Sequence, residues 1–181
     1  MKYLIEDVTA GGIFFLTIFI GFYLLLIIIE KLAGKKVLPK FHLFLERNSL
    51  LFALIIASIA MIGSLWFSEI LGYPPCKLCW YQRITIFPLV PILAVAYFKK
   101  RTDVKGYTLP LIFIGGAIAV YQVLSEYSII NEVCGVSLDA AASCSTIIIQ
   151  KFGFITIPWM SFITLFSLAI LLIQAKNNKN V

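Results

Sequence analysis

Long uninterrupted runs of apolar residues dominate the chain, and short polar segments separate them. The runs follow neither the period of two that marks a half-buried strand nor the period of 3.6 that marks an amphipathic helix. A helix needs roughly 20 residues to cross a hydrocarbon core of about 30 Å. The pattern therefore predicts five membrane-spanning helices, at residues 13–29, 49–71, 80–98, 108–130 and 154–173.

The composition agrees with a membrane protein and disfavours soluble, disordered and nucleic-acid-binding chains. Of 181 residues, 61% are hydrophobic and 13% are charged, about half the charge of a typical soluble domain. The aromatic share of 14% is too high for a disordered chain. We predict an all-α integral membrane protein with a four-helix bundle core at 49–175. One extra N-terminal transmembrane helix and a basic loop (1–48) precede it, and a tail (176–181) follows.

The basic residues predict the orientation of the bundle. Eleven of the fifteen lie in the segments 30–48, 99–107 and 176–181, and cytoplasmic loops are rich in lysine and arginine. This places the N-terminus outside and the C-terminus inside, with the connections 72–79 and 131–153 on the outer face. The net charge of +6 then needs no nucleic acid. Because Glu6 and Asp7 stand where a signal peptide has basic residues, we interpret the first span as a retained anchor.

Small residues and prolines inside the spans predict how the helices pack and bend. Small residues allow close helix contacts in lipid, and two pairs occur, Gly63–Ser64 and Gly115–Gly116. Pro88 and Pro91 are expected to kink the third span. The apolar stretch 145–152 is too short to span, and an interfacial helix or a hydrophobic loop both fit it.

All four cysteines fall in the two outer connections: Cys76, Cys79, Cys134 and Cys144. Cysteines on an oxidising face tend to form disulfides or redox-active pairs, whereas free structural cysteines are more often buried in the spans. Four cysteines allow three pairings, and the sequence leaves these open.

The first two cysteines form a C-x-x-C motif directly before the third span. Pro74 and Pro75 precede the motif, and proline suits the entry to a helix, so we place Cys76 at a helix N-terminus. Unpaired backbone N–H groups and the positive charge of Lys77 then favour the thiolate. A thiolate is the form that attacks disulfides, so the motif indicates thiol–disulfide exchange.

Arg83 lies four residues after Cys79, roughly 6 Å further along the helix. An arginine inside lipid is costly unless it snorkels to the interface or serves a function. Snorkelling is one interpretation. The other is that the guanidinium binds a ring oxygen of a quinone beside Cys79, since a chain that keeps making disulfides needs an acceptor for two electrons per cycle.

With these residues in view, the chain resembles the DsbB family of membrane disulfide-generating oxidoreductases. The segment 75–83, P-C-K-L-C-W-Y-Q-R, is similar to the first-loop motif of that family. The second cysteine pair and the segment 152–159, F-G-F-I-T-I-P-W, are similar to the short-loop BdbC type of Gram-positive bacteria. The resemblance covers about residues 50–175.

The resemblance implies a role for each candidate site residue. Cys76 and Cys79 match the quinone-facing pair, Arg83 the quinone-binding arginine, and Cys134 and Cys144 the pair that exchanges with a partner. The implied partner is a DsbA-like thioredoxin-fold thiol oxidase, and the implied acceptor is ubiquinone or menaquinone. The implied location is a bacterial plasma membrane, crossed several times, with the redox site on the extracytoplasmic face.

Two further features are harder to interpret. Gln122 and Glu126 resemble a Gln-x-x-x-Glu pattern of relatives, but interfacial solvation explains them more simply. The helix at 13–29 is additional to the four spans of the family, and the sequence gives no function for it; a lipid-facing anchor and a partner contact are both open.

Three other functions fit parts of the pattern. Four cysteines can bind zinc, but the nine residues between Cys134 and Cys144 are an unusual half-site spacing, so we predict no metal. Two inert disulfides could staple the outer loops of a structural subunit. A vitamin K epoxide reductase-like enzyme has the same bundle and quinone chemistry, but its loop cysteines precede the C-x-x-C motif, whereas here they follow it.

Overall fold

The computed structural model describes residues 2–33, 39–101, 103–130, 144, 147 and 149–175. Its helices are α1 (Lys2–Ala33), α2 (Pro39–Leu65), a π-helix (Trp66–Ile70), α3 (Lys77–Ile86), α4 (Leu89–Phe98), α5 (Lys105–Glu126) and α6 (Ile157–Gln174).

Within the described part of the chain, five helical segments are long and apolar enough to cross a membrane. Helix α2 and the π-helix form one of them, and α3 and α4 form another. Large apolar side chains face outward on these segments; Phe15, Ile59 and Phe113, for example, are each at least 65% exposed. Such a surface is stable when lipid is the solvent. The predicted fold class, an all-α bundle with one additional N-terminal helix, is confirmed.

The first polar connection is shorter than the predicted loop at 30–48. Helix α1 continues to Ala33 and α2 already begins at Pro39. Two apolar side chains in this region, Phe41 and Leu45, pack against the main core. This packing favours a helix that begins before the predicted span. The Tyr23 hydroxyl lies 3.2 Å from His42 Nδ1, which joins α1 to the first turn of α2.

The third span is broken where the sequence predicts a kink. Helix α3 ends at Ile86 and α4 begins at Leu89, with Pro88 between them. Proline has no N–H for the helical hydrogen bond and its ring crowds the preceding turn, so the helix restarts. Pro91 does not add a second kink, because it lies in the first turn of α4, where a backbone N–H has no helical partner.

Helix α6 lies at the centre of the bundle. It packs mainly against α5 and α2, with smaller contacts to α1 and α3. The core it forms with α2, α4 and α5 includes five leucine side chains that are fully buried: Leu89, Leu93, Leu165, Leu168 and Leu172. The C-terminal end of α6 is capped by α5, because Lys105 Nζ donates hydrogen bonds to the carbonyl oxygens of Ile173 and Ala175.

The apolar stretch at 145–152 is not an interfacial helix at the positions that the structure describes. Ile147, Ile149 and Gln150 are non-helical, and Lys151 pairs with Ile155 in a short antiparallel bridge. The loop interpretation of this stretch is therefore supported for these positions.

Of the four small residues predicted at helix contacts, Gly115 marks a close approach. A Cβ atom placed there would lie 2.4 Å from Thr85 Oγ1 on α3 and 3.1 Å from Leu165 Cδ1 on α6. Gly63 and Gly116 have no atom within 4 Å of such a Cβ, so the predicted packing role is wrong for both. Gly115 thus fixes how closely α3 approaches α5.

We expect Gly115→Ala to destabilise the bundle. The added methyl group must displace Thr85, whose hydroxyl is already bonded 2.7 Å from the Gln82 carbonyl. Overpacking of this kind costs about 1–3 kcal/mol. Thermal unfolding in detergent measures the loss, with Gly116→Ala as the matched control. Because Gly116 has free space and alanine favours helices, a Gly115→Ala variant as stable as that control would contradict the predicted close approach.

Candidate functional site

The C-x-x-C motif lies where an extended segment turns into helix α3. Pro74 and Pro75 keep the chain extended, and Cys76 is the N-cap residue of α3, with φ −69° and ψ 169°. One helical turn brings the second cysteine back, so that Cys76 Sγ and Cys79 Sγ lie 2.9 Å apart. Both cysteines are free thiols in the structure. The pair can therefore close to a disulfide with little movement.

The electrostatic environment of Cys76 differs from the sequence-based expectation. The backbone N–H of Cys79 donates to Cys76 Sγ at 3.3 Å, which is the predicted helix N-terminal effect. The side-chain hydrogen bond to Cys79 and burial outweigh this bond, and together they raise the pKa of the Cys76 thiol above its usual value. Cys76 is 4% exposed, so burial opposes the stabilisation of a thiolate by the helix N-terminus, and the reactive thiolate of the motif stays a prediction.

Two buried glutamines connect the sulfur pair to helix α5. Gln122 Nε2 lies 3.3 Å from Cys76 Sγ and 3.6 Å from Cys79 Sγ and donates to both. Its carbonyl oxygen accepts a 2.9 Å hydrogen bond from Gln82 Nε2. Both amides are at most 5% exposed. Gln82 thus fixes the orientation of Gln122, and the Gln122 amide N–H groups face the two sulfur atoms.

Arg83 is held inside the bundle by helix α2. Its Nε donates to Ser64 Oγ at 3.0 Å and its Nη2 to the Ser64 carbonyl at 2.9 Å. The guanidinium carbon lies 5.2 Å from the centre of the Trp80 ring. The third guanidinium nitrogen, Nη1, has no hydrogen-bond partner among the residues that the structure describes. The two bonds to Ser64 therefore use two of the five guanidinium N–H groups, and both N–H groups of Nη1 are among the other three.

A carboxyl group lies beyond Gln122 at the same end of α5. Glu126 accepts a hydrogen bond from the Thr156 side chain, at the start of α6, and its charge interacts with Cys79. Its second oxygen, Oε2, is buried without a hydrogen-bond partner in the described part of the chain. Glu126 is therefore partly buried, with a bond to Thr156 and with Oε2 enclosed by the protein, and its role stays open.

Of the second predicted cysteine pair, the structure describes Cys144. This residue is 2% exposed and disulfide-bonded. Cys134 lies outside the described residues, so the prediction that it exchanges with Cys144 stays a prediction. The structure brings together Cys76, Cys79 and Arg83 from the predicted site.

Comparison with known families decides the classification. The sequence model of the family described as "Disulfide bond formation protein DsbB" matches residues 46–175. The chain belongs to the DsbB family. Its relatives include disulfide bond formation protein C of Bacillus subtilis, which is 42% identical over 130 residues, or 70% of this chain and 91% of the relative.

Two further relatives extend the comparison. A probable disulfide formation protein of Chlamydia caviae is 40% identical over 138 residues, which cover 75% of this chain and 97% of the relative. Probable disulfide formation protein C 2 of Bacillus cereus is 39% identical over 138 residues, with 75% and 96% coverage. No solved structure matches the chain. Membership of the DsbB family implies an oxidoreductase in a multi-pass membrane bundle.

In this member of the DsbB family, three polar residues near the motif have roles that the sequence analysis did not assign. Gln122 was attributed to interfacial solvation, but it is buried against the sulfurs. Ser64 was assigned to helix packing, but it binds Arg83. Gln82 received no role. A polar side chain inside an apolar span was the available signal, because such residues are costly in lipid and tend to be functional.

The two interpretations of Arg83 are also partly resolved. The side chain is 8% exposed and bonded to α2, so it does not snorkel to the interface. Its binding of a quinone stays a prediction.

Proposed function

We propose that this DsbB-family chain reoxidises a DsbA-like thioredoxin-fold thiol oxidase and passes the electrons to a membrane quinone. The observation that carries the proposal is the contact of two thiols, 2.9 Å apart, at the end of a membrane span that buries an arginine one turn further in. A dithiol in this position meets a protein partner on one side and a lipid-soluble acceptor on the other.

The distribution of charge supports an extracytoplasmic site. The C-x-x-C motif and the Cys144 segment belong to the connections with few basic residues, whereas eleven of fifteen basic residues lie in the other polar segments. The positive-inside rule places those basic segments in the cytoplasm. On this orientation the cysteines face the oxidising compartment of a bacterial cell, where disulfides persist.

The residues around Cys79 fit a quinone. Arg83 Nη1 is a charged donor without a partner among the described residues, and charge-assisted hydrogen bonds to oxygen are the strong ones. Trp80 and Tyr81 are more than half exposed on the outer surface of α3 and supply aromatic surface at the lipid boundary. A quinone bound there accepts two electrons and two protons.

The cysteines carry the electrons in two exchange steps. A thiolate of the reduced partner attacks a disulfide between Cys134 and Cys144, so the partner leaves as a disulfide and these two cysteines become thiols. They in turn reduce the Cys76–Cys79 disulfide by the same attack and release. The thiols of Cys76 and Cys79 then close to a disulfide as two electrons and two protons pass to the acceptor.

Gln122 assists each exchange at the first pair. When a disulfide there is attacked, one sulfur leaves as an anion, and a hydrogen bond to the charged form stabilises it. The Gln122 amide is already in place to donate, because Gln82 fixes its carbonyl oxygen.

Purified full-length protein in lipid nanodiscs tests the proposal. With a reduced DsbA-type thiol oxidase as donor and a short-chain ubiquinone or menaquinone as acceptor, we expect loss of quinone absorbance. One partner disulfide should form for each quinone reduced. Partner oxidation with neither quinone consumed under anaerobic conditions would contradict the proposed acceptor. Quinone loss that dithiothreitol drives but the reduced protein partner does not would contradict the proposed donor.

A further inference from the structure

Helix α1 precedes the segment that carries the family pattern, since the match begins at residue 46 and α1 ends at Ala33. Its outward-facing side chains include Phe15 and Phe22, which are 73% and 58% exposed. The opposite face near its N-terminal end contacts the second outer connection. These contacts indicate what the additional helix does.

Three kinds of contact join α1 to the end of that connection. Asp7 Oδ1 lies 2.8 Å from Lys151 Nζ, and the Phe14 and Phe152 rings stack with centres 4.9 Å apart. Ala10 is fully buried in a small cluster that includes Ile155. Asp7, Ala10 and Phe14 are spaced three and four residues apart, so they lie on one face of the helix.

The segment that α1 contacts is a short, well-formed turn. Lys151 and Ile155 exchange two backbone hydrogen bonds of 3.0 and 2.9 Å, and Gln150 Nε2 donates to the Gly153 carbonyl at 2.8 Å. We call residues 151–155 the outer turn. Because its backbone is internally bonded, contacts to Lys151 and Phe152 hold the outer turn as a unit.

The position of the outer turn limits how far Cys144 can move. Cys144 lies seven positions before Lys151 and thirteen positions before Ile157, where α6 begins. Seven extended residues reach at most about 25 Å. Because Lys151 and Ile155 are bonded to each other, the outer turn is the anchor of this tether, and its contacts to α1 fix where the anchor lies.

We propose that α1 is a positioning helix that holds the outer turn, so that the Cys144 disulfide stays within exchange distance of Cys76 and Cys79. The inference rests on the proposed function, because it concerns the exchange between the two cysteine pairs. In that exchange, a thiolate of the second pair attacks the Cys76–Cys79 disulfide. Its partner thiol then closes the second disulfide and releases the first pair as a dithiol, with no other oxidant.

Stepwise oxidation of the reduced full-length protein tests the inference. A short-chain quinone is added to the protein in nanodiscs, the reaction is quenched with acid, and each cysteine is alkylated and assigned by mass spectrometry. The variant Asp7→Asn/Phe14→Ala releases the outer turn. Phe22→Ala is the matched control, since it removes a phenylalanine from the outward-facing side of the same helix.

We expect the Cys76–Cys79 disulfide to form at the same rate in all three proteins. Oxidation of Cys144 should be about twofold slower in the double variant, because an anchor that is free to move lowers the effective concentration of the second pair at the first. The rate in Phe22→Ala should equal the wild-type rate. Equal rates of Cys144 oxidation in all proteins would overturn the inference. Equal slowing of both pairs would also overturn it, because α1 would then only stabilise the bundle.

A second measurement separates this inference from the proposed function. If quinone fails to oxidise Cys76 and Cys79 in the wild type, the proposed function is wrong. The contact between α1 and the outer turn can still be tested, because amide hydrogen exchange needs no quinone. The N–H groups of Lys151 and Ile155, which are bonded to each other's carbonyls, should exchange faster in the double variant than in Phe22→Ala. Unchanged protection of these two amides would contradict a positioning role for α1 whatever the acceptor is.

Discussion

Replacing Cys79 by serine is expected to lower quinone reduction to the rate measured without protein, with either a protein partner or dithiothreitol as donor. Serine keeps the size and polarity of the position, but its hydroxyl neither forms a disulfide with Cys76 nor ionises near neutral pH. On the proposed function, electrons leave the protein through the Cys76–Cys79 pair, whose sulfurs lie 2.9 Å apart, so no alternative route remains. Stopped-flow absorbance of the quinone measures the loss.

Cys144→Ser is the matched control for that experiment, because it alters the other pair. It should abolish quinone reduction driven by the protein partner and leave reduction driven by dithiothreitol intact, since a small dithiol reaches Cys76 and Cys79 directly. Quinone reduction that survives in Cys79→Ser would refute the scheme. If both variants still support full oxidation of the partner, the disulfides are structural staples.

Much of this architecture could be predicted because a membrane-spanning helix has a simple sequence pattern. A span must be apolar over roughly 20 residues, so the five spans can be identified from the sequence. The break at Pro88 is equally local, because it follows from the missing N–H and the ring of one residue. The predicted loop at 30–48 was too long, since the pattern of spans does not reveal that Phe41 and Leu45 pack against the core.

The site was only partly predictable because its contacts join distant parts of the chain. The C-x-x-C geometry is local to one helical turn, and the proline-rich entry indicates it. Gln122 reaches the sulfurs from a helix more than 40 residues away, and Gln82 fixes its orientation. Ser64 reaches Arg83 from α2, another helix. Neither contact leaves a spacing signal in a single sequence.

The surroundings of Cys76 show how packing can oppose a local rule. A helix N-terminus favours a thiolate, and the expected hydrogen bond from the Cys79 N–H is present. The same turn also places the Cys79 sulfur against Cys76 and buries both groups, which raises the pKa of the Cys76 thiol. Packing that the motif alone does not specify therefore opposes the effect of the helix N-terminus.

Replacing Arg83 by methionine is expected to raise the KM for quinone by roughly 10- to 100-fold. Hydrogen bonds to charged groups contribute about 1.5–3 kcal/mol, and Arg83 offers its free Nη1 donor from a site that is 8% exposed. The bundle should still form, because methionine inserts into lipid more readily than arginine. Steady-state kinetics with varied quinone and saturating reduced partner give the KM. The melting temperature in detergent should not fall.

Ser64→Ala distinguishes binding of the acceptor from general damage to the helix. It removes the hydroxyl that accepts from Arg83 Nε but keeps the backbone carbonyl that accepts from Nη2, so the guanidinium stays near its place. The KM for quinone should rise only a few-fold, consistent with one lost hydrogen bond of about 1 kcal/mol. Arg83→Lys should lie between the two, since an ammonium keeps the charge but not the planar fork. A KM that is unchanged in Arg83→Met would show that this arginine stabilises the contact of α3 with α2 and does not bind the acceptor.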